Sequence, residues 1–341
     1  MTITFGFGLI TCQHVPGDPR SDIDRYAEAL ELAQEAERLG FDSVWMSEHH
    51  FVDDAYLPSV LPLSAAIAAR TYQILIGTAL LLAPLHDPVR IAEDAAVVDL
   101  ISAGRLVLGV GLGWREEEFE GLGIPLRDRV QRLEDSVEVY RQAWRGDLVT
   151  GGTHLRYPGV PVRPLPARGG GPPIWIGALT EPAIRRAGRL GDGFMATDVT
   201  PSSLREQADL ARSAHAAARR TDGFAIGVHL PTFAWRGADA WERVRDHHRY
   251  VTWKYDDMAG SRRRAGEPPA PPPVSPQEEE ELREGILLGS PEEVAERIQA
   301  LAEAVGGELH FIARLYWPGM EPAVQREAMR VFAKEVIPSL R

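Results

Sequence analysis

The sequence holds a single cysteine, Cys12, and of its 37 basic residues only Lys254 and Lys334 are lysine. One thiol excludes an internal disulfide framework and any multi-cysteine metal cluster. The scarcity of lysine reads as a general bias toward arginine, so an arginine taken alone carries no argument about a site. Long apolar runs are also missing: no 18 consecutive apolar residues occur, and the opening MTITFGFGLI has no basic region ahead of its apolar stretch. Neither a bilayer-spanning segment nor a secretory signal is therefore expected, and the chain reads as a soluble, cytoplasmic protein. Positive charge is in deficit, with 49 acidic residues giving a net charge of −12. An acidic surface argues against a nucleic-acid partner, because phosphate binding needs a basic footprint.

Several common catalytic signatures are absent as well. There is no G-x-G-x-x-G, since Gly109 and Gly111 are followed by Trp114 where the third glycine belongs. Neither lysine follows a glycine, which excludes a Walker A loop, and there is no G-x-S-x-G elbow or H-E-x-x-H helix. The His pairs at 49–50 and 247–248 lack metal-ligand spacing, so no metal site is expected.

What remains is ordinary globular composition, with 341 residues, 44% hydrophobic and 25% charged. Eight short apolar runs read as strands, at 3–10, 42–46, 74–82, 106–110, 174–177, 194–197, 225–233 and 309–313. Amphipathic segments between them fit helices, among them 22–39 with Ser21 as N-cap and Gly40 as its stop, and 88–103 opened by Pro88. Nearly continuous apolar strands alternating with helices indicate a parallel sheet covered by helices. Eight such units predict an α/β fold, a single closed (β/α)8 TIM barrel with its chemistry on the loops after the strands' C-terminal ends. A Gly/Pro-rich insertion at 150–173 is expected to carry a hairpin near 154–157. Residues 257–284, with the tract EPPAPPPVSP, are expected to form a mobile lid-like loop near the barrel mouth.

Three stretches stand out at predicted strand ends. Trp45-Met46-Ser47-Glu48-His49-His50-Phe51 places a histidine where a barrel keeps its catalytic groups, suited to general base work or to bonding a developing anion. Gly109-Val110-Gly111-Leu112-Gly113-Trp114 would let a flat ligand approach the backbone. Trp175-Ile176-Gly177-Ala178-Leu179-Thr180-Glu181-Pro182 ends a strand in a small-residue turn and opens a helix, with amides suited to a phosphate. The run at 116–118 reads as the solvated first turn of a helix. His247 and His248, with Tyr250, Trp253 and Tyr255, either line a pocket or pack an amphipathic helix onto the barrel wall.

Taken together, four stretches in order resemble the bacterial luciferase-like monooxygenase family: LGFDSVWMSEHHF (39–51), IGTALLLAPLHDPVRIAEDAAVVDLISAGRLVLGVGLGWREEEF (76–119), IWIGALTEPAIRRAGRLGDGF (174–194) and GSPEEVAERI (289–298). The resemblance implies a flavin- or deazaflavin-dependent barrel enzyme, commonly a homodimer. It implies that His49 is the catalytic histidine assisting oxygen chemistry. It further implies that Ala79 and Leu80 form a non-proline cis peptide beneath the flavin ring, and that Gly177, Ala178, Leu179 and Thr180 hold the cofactor phosphate. Gly111 and Leu112 stand where flavin-using members carry a reactive Cys and a phosphate-binding Arg, a departure that leaves room for deazaflavin. The double-His motif is more like the FMN branch. The expectation is a monooxygenase that takes reduced FMN from a separate flavin reductase and oxygenates a small organic substrate. Its alternatives are a deazaflavin-dependent hydride-transfer enzyme and a non-catalytic flavin-binding protein. Trp235, Trp253 and Trp317 suggest a partly hydrophobic substrate.

Overall fold

The computed structural model of the chain describes residues 2–260 and 269–341. The chain opens with β1 (Thr2–Ile10) and α1 (Asp22–Leu39), followed by β2 (Ser43–Met46), α2 (Val60–Ala68), β3 (Leu75–Thr78), α3 (Pro88–Ile101) and β4 (Leu106–Val110). Two helices, α4 (Glu116–Gly121) and α5 (Arg129–Arg145), lead into an antiparallel hairpin of β5 (Leu148–Gly151) and β6 (Arg156–Pro161). Next come β7 (Ile174–Gly177), α6 (Glu181–Leu190), β8 (Gly193–Ala196), α7 (Pro201–Ala217) and β9 (Ala225–Ala234). The last part holds α8 (Ala240–Gly260), α9 (Pro276–Glu284), β10 (Leu287–Gly289), α10 (Pro291–Val305), β11 (Glu308–Arg314) and α11 (Pro322–Val331).

Strands β1, β2, β3, β4, β7, β8, β9 and β11 pair in parallel in that order, and β11 returns to β1 to close the ring. This is the (β/α)8 barrel expected from eight strand–helix units, and the eight predicted strand segments are its staves. Closure follows from the chemistry of the strands. With β-type apolar residues facing both ways, each strand must be covered inside by its neighbours' side chains and outside by helices. Helix boundaries obey local rules. Ser21 caps α1 in a reciprocal capping box with Asp24, Gly40 ends it in the left-handed region at φ 86°, and Asp87 accepts from Val89 and Arg90 ahead of Pro88.

The lumen is packed, not open. Trp45 from β2 and Trp175 from β7 meet with ring centroids 5.3 Å apart, and His310 from β11 touches both. Glycines on adjacent strands make this possible: a Cβ at Gly77 would lie 2.2 Å from the Trp45 ring, and one at Gly227 would lie 2.8 Å from that of Trp175. His310 is fixed from both nitrogens, by Thr4 Oγ1 at 2.6 Å and Ser43 Oγ at 2.8 Å. Burial pushes its pKa down to about 4, so the imidazole is neutral at pH 7.

Three features depart from the pattern read in the sequence. The hairpin in the 150–173 region starts earlier than expected, pairing 148–151 with 156–161. The three-residue β10 adds outside β9, with Leu287 opposite Thr232, and is too short to show a period. Residues 257–284, expected as one mobile loop, include the end of α8 and all of α9, which Ser275 opens with a capping box to Glu278. The segment 261–268 lies outside the described residues. Among the described residues no helix is long and apolar enough to cross a membrane.

Candidate functional site

The loop after β2 carries Ser47, Glu48, His49 and His50, and it is pinned by backbone bonds. Ser47 N–H donates to Ile10 and His49 N–H to Leu57. Helix α4 folds back over this loop. Arg115 donates to the carbonyls of His50 and Phe51, and Phe51 packs where a Cβ on Gly121 would stand. The run 116–118 does form the first turn of α4, with Glu116 exposed, but the solvated reading fails at Glu118. Glu118 is fully buried, its Oε1 lies 2.9 Å from His49 Nδ1, and the same oxygen accepts the His50 amide at 2.8 Å. Glu118 Oε2 is buried without a partner.

A carboxylate acceptor on Nδ1 fixes the ring orientation and leaves Nε2 as the free nitrogen. Among the described residues Nε2 makes no hydrogen bond. The ring is enclosed edge-on by Tyr56 at 4.9 Å, Tyr255 at 5.7 Å and Trp114 at 5.8 Å between centroids. The Tyr56 and Tyr255 hydroxyls bond to each other at 3.0 Å, and burial raises the Tyr56 phenol well above its ordinary value. Tyr56 is therefore a neutral donor throughout the working pH range.

His50 belongs to a second carboxylate. Glu48 Oε1 accepts from His50 Nε2 at 3.0 Å and from His86 Nε2 at 2.7 Å. Burial works to raise the Glu48 pKa, but the two imidazoles hold it below the usual carboxylate range. Burial lowers the His50 pKa and the Glu48 carboxylate more than offsets it, leaving it raised. The donor atoms of Glu48, His50 and His86 lie within 4.8 Å of one another, a set able to hold a divalent cation that the sequence spacing had not disclosed.

A cavity of about 760 Å³ opens at the C-terminal end of the barrel. One wall is Leu179 and Thr197 after β7 and β8. The opposite wall is His229, Tyr255, Arg314 and Trp317, from β9, α8 and the end of β11. Pro271, Pro272, Pro273 and Val274, with Glu278, Glu281 and Leu282 of α9, line a further part of it.

A model of the luciferase-like monooxygenase family matches residues 5–308. This chain belongs to that family. The oxygenase component of a flavin-dependent trigonelline monooxygenase from Acinetobacter baylyi is 30% identical over 174 residues, 50% of this chain and 48% of that protein. An F420-dependent glucose-6-phosphate dehydrogenase from Nakamurella multipartita is 37% identical over 187 residues, 52% of this chain and 54% of that protein. The chain thus spans about half the length of the curated relatives it matches. The crystal structure of monooxygenase RslO1 from Streptomyces bottropensis shares the fold, with a TM-score of 0.83 over 100% of both chains at 23% identity.

In this luciferase-like barrel the Ala79–Leu80 peptide is cis, as is Gly8–Leu9. Leu80 also supplies the reason for two glycines. A Cβ at Gly111 would lie 2.8 Å from Leu80 Cδ1, and one at Gly177 only 2.2 Å from it. These glycines therefore accommodate the Leu80 side chain, which lies across β4 and β7 as an apolar floor. Leu112 is half-buried against the core, and Arg115 is committed to backbone carbonyls, so neither offers a free cation after β4. Ala178 is half-buried, while Leu179 is 69% exposed. Thr180 stands at the N-cap of α6 with no side-chain cap bond, so its hydroxyl is free beside the unpaired first-turn amides.

The aromatic residues of the second half divide between roles. His248, Trp253, Tyr255 and Trp317 line the cavity, whereas Tyr250 is buried and donates to Asp54 at 3.0 Å. His247 is tied to the carbonyl of Pro318 at 3.0 Å. Trp235 lies elsewhere, in a separate cavity of about 460 Å³ beside Trp241 and Glu293.

Proposed function

We propose that this chain is the oxygenase component of a two-component monooxygenase, which takes reduced FMN from a separate flavin reductase and oxygenates a small organic substrate. The observation that carries the reading is His49, set on a buried carboxylate and walled by three aromatic rings at the barrel mouth. A flavin-dependent oxygenase component among the relatives supports it.

The residues fit a flavin. Leu80, Gly111 and Gly177 offer a flat apolar floor, and Ala178, Leu179 and Thr180 offer an open helix N-terminus for a phosphate. Reduced FMN supplies the electrons and the oxygen chemistry when bound. His49 then holds or delivers a proton at Nε2, while Glu118 keeps the ring turned and neutralises the imidazolium when it forms. Tyr56, Tyr255 and Trp114, packed around the ring, would limit water at that nitrogen. Tyr255, which meets the His49 ring edge-on, also lines the large cavity together with Pro271, Pro272, Pro273 and Val274.

Oxygen uptake with reduced FMN, a reductase and candidate substrates tests the reading; product containing one oxygen atom from O2 is expected. A deazaflavin-dependent hydride transfer is the second reading. It is favoured by Leu112 in place of a cation after β4 and by the F420-dependent relative. Hydride transfer from reduced deazaflavin without oxygen uptake would establish it instead.

Self-association as a homodimer is part of the proposal. Helix α3 presents Val97, Leu100 and Ile101, each more than 40% exposed, at spacings that form one apolar face.

A further inference from the structure

Arg314 ends β11, opposite Gly8 of β1 and Pro231 of β9. Side chains alternate along a strand, and His310 and Ile312 both point into the lumen, against Trp45 and Trp175 and among the inner apolar residues. Arg314, two residues beyond Ile312, therefore enters the top of the same lumen, where it lines the large cavity. Its guanidinium lies 5.5 Å from the Tyr255 ring centroid, and Tyr255 joins it to Tyr56 and His49.

The guanidinium has no carboxylate within 4.0 Å among the described residues. Four acids line the cavity, Asp198, Asp256, Glu278 and Glu281, and none of them pairs with it. Two other cations among the described residues are matched by carboxylates: Lys254 lies on Asp53 and Asp257, and Arg20 on Asp18 and Glu28. A half-buried guanidinium lining a concavity, with no carboxylate partner, leaves its strongest interaction unmade.

Two further groups on the same walls are unsatisfied. The Trp317 indole N–H is buried without a partner on a residue only 2% exposed. His229, inward on β9, has Nδ1 buried and unpaired, and burial together with the Arg314 charge keeps its ring neutral, with a pKa of about 3. Around these polar groups the surface is Tyr255, Trp253 and a proline wall.

We propose that Arg314 is the substrate's anion partner, so that this enzyme takes a small aromatic or apolar carboxylic acid, its carboxylate on the guanidinium and its apolar body toward Tyr255 and His49. The inference rests on reading the cavity as the substrate site of the proposed monooxygenase. Within the cavity the substrate pole lies across from the cofactor pole, where Leu179 forms the wall after β7; Leu80, Gly111 and Gly177 lie on the β3, β4 and β7 side, with β8 and β9 between β7 and β11. A planar fork of donors suits a carboxylate, which it engages through two parallel bonds.

The test needs no turnover, so its outcome is independent of whether oxygen is consumed. Matched acid and amide pairs, benzoate with benzamide and nicotinate with nicotinamide, are titrated into the purified protein by calorimetry, with and without FMN. The acid of at least one pair is expected to bind tenfold or more tightly than its amide. Arg314→Gln should bring that ratio to within about twofold of one. Trp317→Phe, which removes only the N–H, should reduce it in part, and serves if Arg314→Gln does not fold. Reduced FMN affinity should be the same in the parent and in Arg314→Gln. Equal affinity for acid and amide throughout, or an acid preference that survives both variants, overturns the proposal. So does a loss of reduced FMN affinity in Arg314→Gln with the acid–amide ratio unchanged, which would assign Arg314 to the cofactor.

Discussion

Glu118 Oε1 lies 2.9 Å from His49 Nδ1 and also receives the His50 amide, so one buried carboxylate fixes both the ring and the backbone of the motif. The neighbouring histidine answers to a different acid, Glu48, which it shares with His86. Two adjacent imidazoles are thereby held in different orientations, one toward the aromatic enclosure and one away from it.

Replacing His49 with Ala removes the group at Nε2 without touching the floor at Leu80. Product formation should fall by roughly 10²–10⁴-fold while reduced FMN binding stays nearly intact. Parallel turnover and anaerobic binding assays check this. Lost binding would make His49 a structural residue.

The glycine floor makes a prediction about pairs. Gly177→Ala puts a methyl 2.2 Å from Leu80 Cδ1, a clash expected to cost about 1–3 kcal/mol and to weaken flavin binding. Leu80→Ala vacates that space, so the double variant should recover stability relative to Gly177→Ala alone. Thermal unfolding of the three variants reports the coupling. Additive losses would contradict the contact.

Acid should destabilise this fold through its buried histidines. The pKa values of His310 and His248 are pushed down to about 4 by burial, and that of His229 to about 3. The unfolded chain takes up protons near pH 6.5, which the folded sites resist, so protonation favours unfolding. Stability is full above pH 6.5 and is lost as pH falls toward 4, by about 1.4 kcal/mol per histidine per pH unit at most. His310→Gln should flatten the fall in Tm between pH 6.5 and 5.5. A Tm that is level over this range would contradict the buried neutral state.

If α3 forms the dimer interface, Leu100→Glu should convert a dimer to a monomer, read by light scattering after gel filtration. A monomeric parent protein would remove the proposal.

The barrel was legible because its strands are apolar, separated by helices with ordinary starts and stops such as Ser21, Gly40 and Pro88. His49 and the turn at 177–180 were legible as strand-end residues. Glu118 was not, because an acidic helix start looks the same in solvent as it does folded over the β2 loop, and Arg115 and Gly121, which bring it there, are unremarkable locally. Gly111 suggested ligand approach and Gly177 a small-residue turn, yet the nearer cause for both is Leu80, a neighbour only in the folded barrel. Arg314 was hidden by composition: in a chain that uses arginine almost everywhere, only its missing partner marks it. The capped helix α9 was masked by the proline tract before it.

The most direct measurement is an anaerobic titration of the purified protein with reduced FMN and with reduced deazaflavin, followed by admission of air and measurement of oxygen consumed. The account predicts preferential binding of reduced FMN and a reoxidation in air slower than that of free flavin, with oxygen consumed. Preference for reduced deazaflavin, with no oxygen consumed, would contradict it.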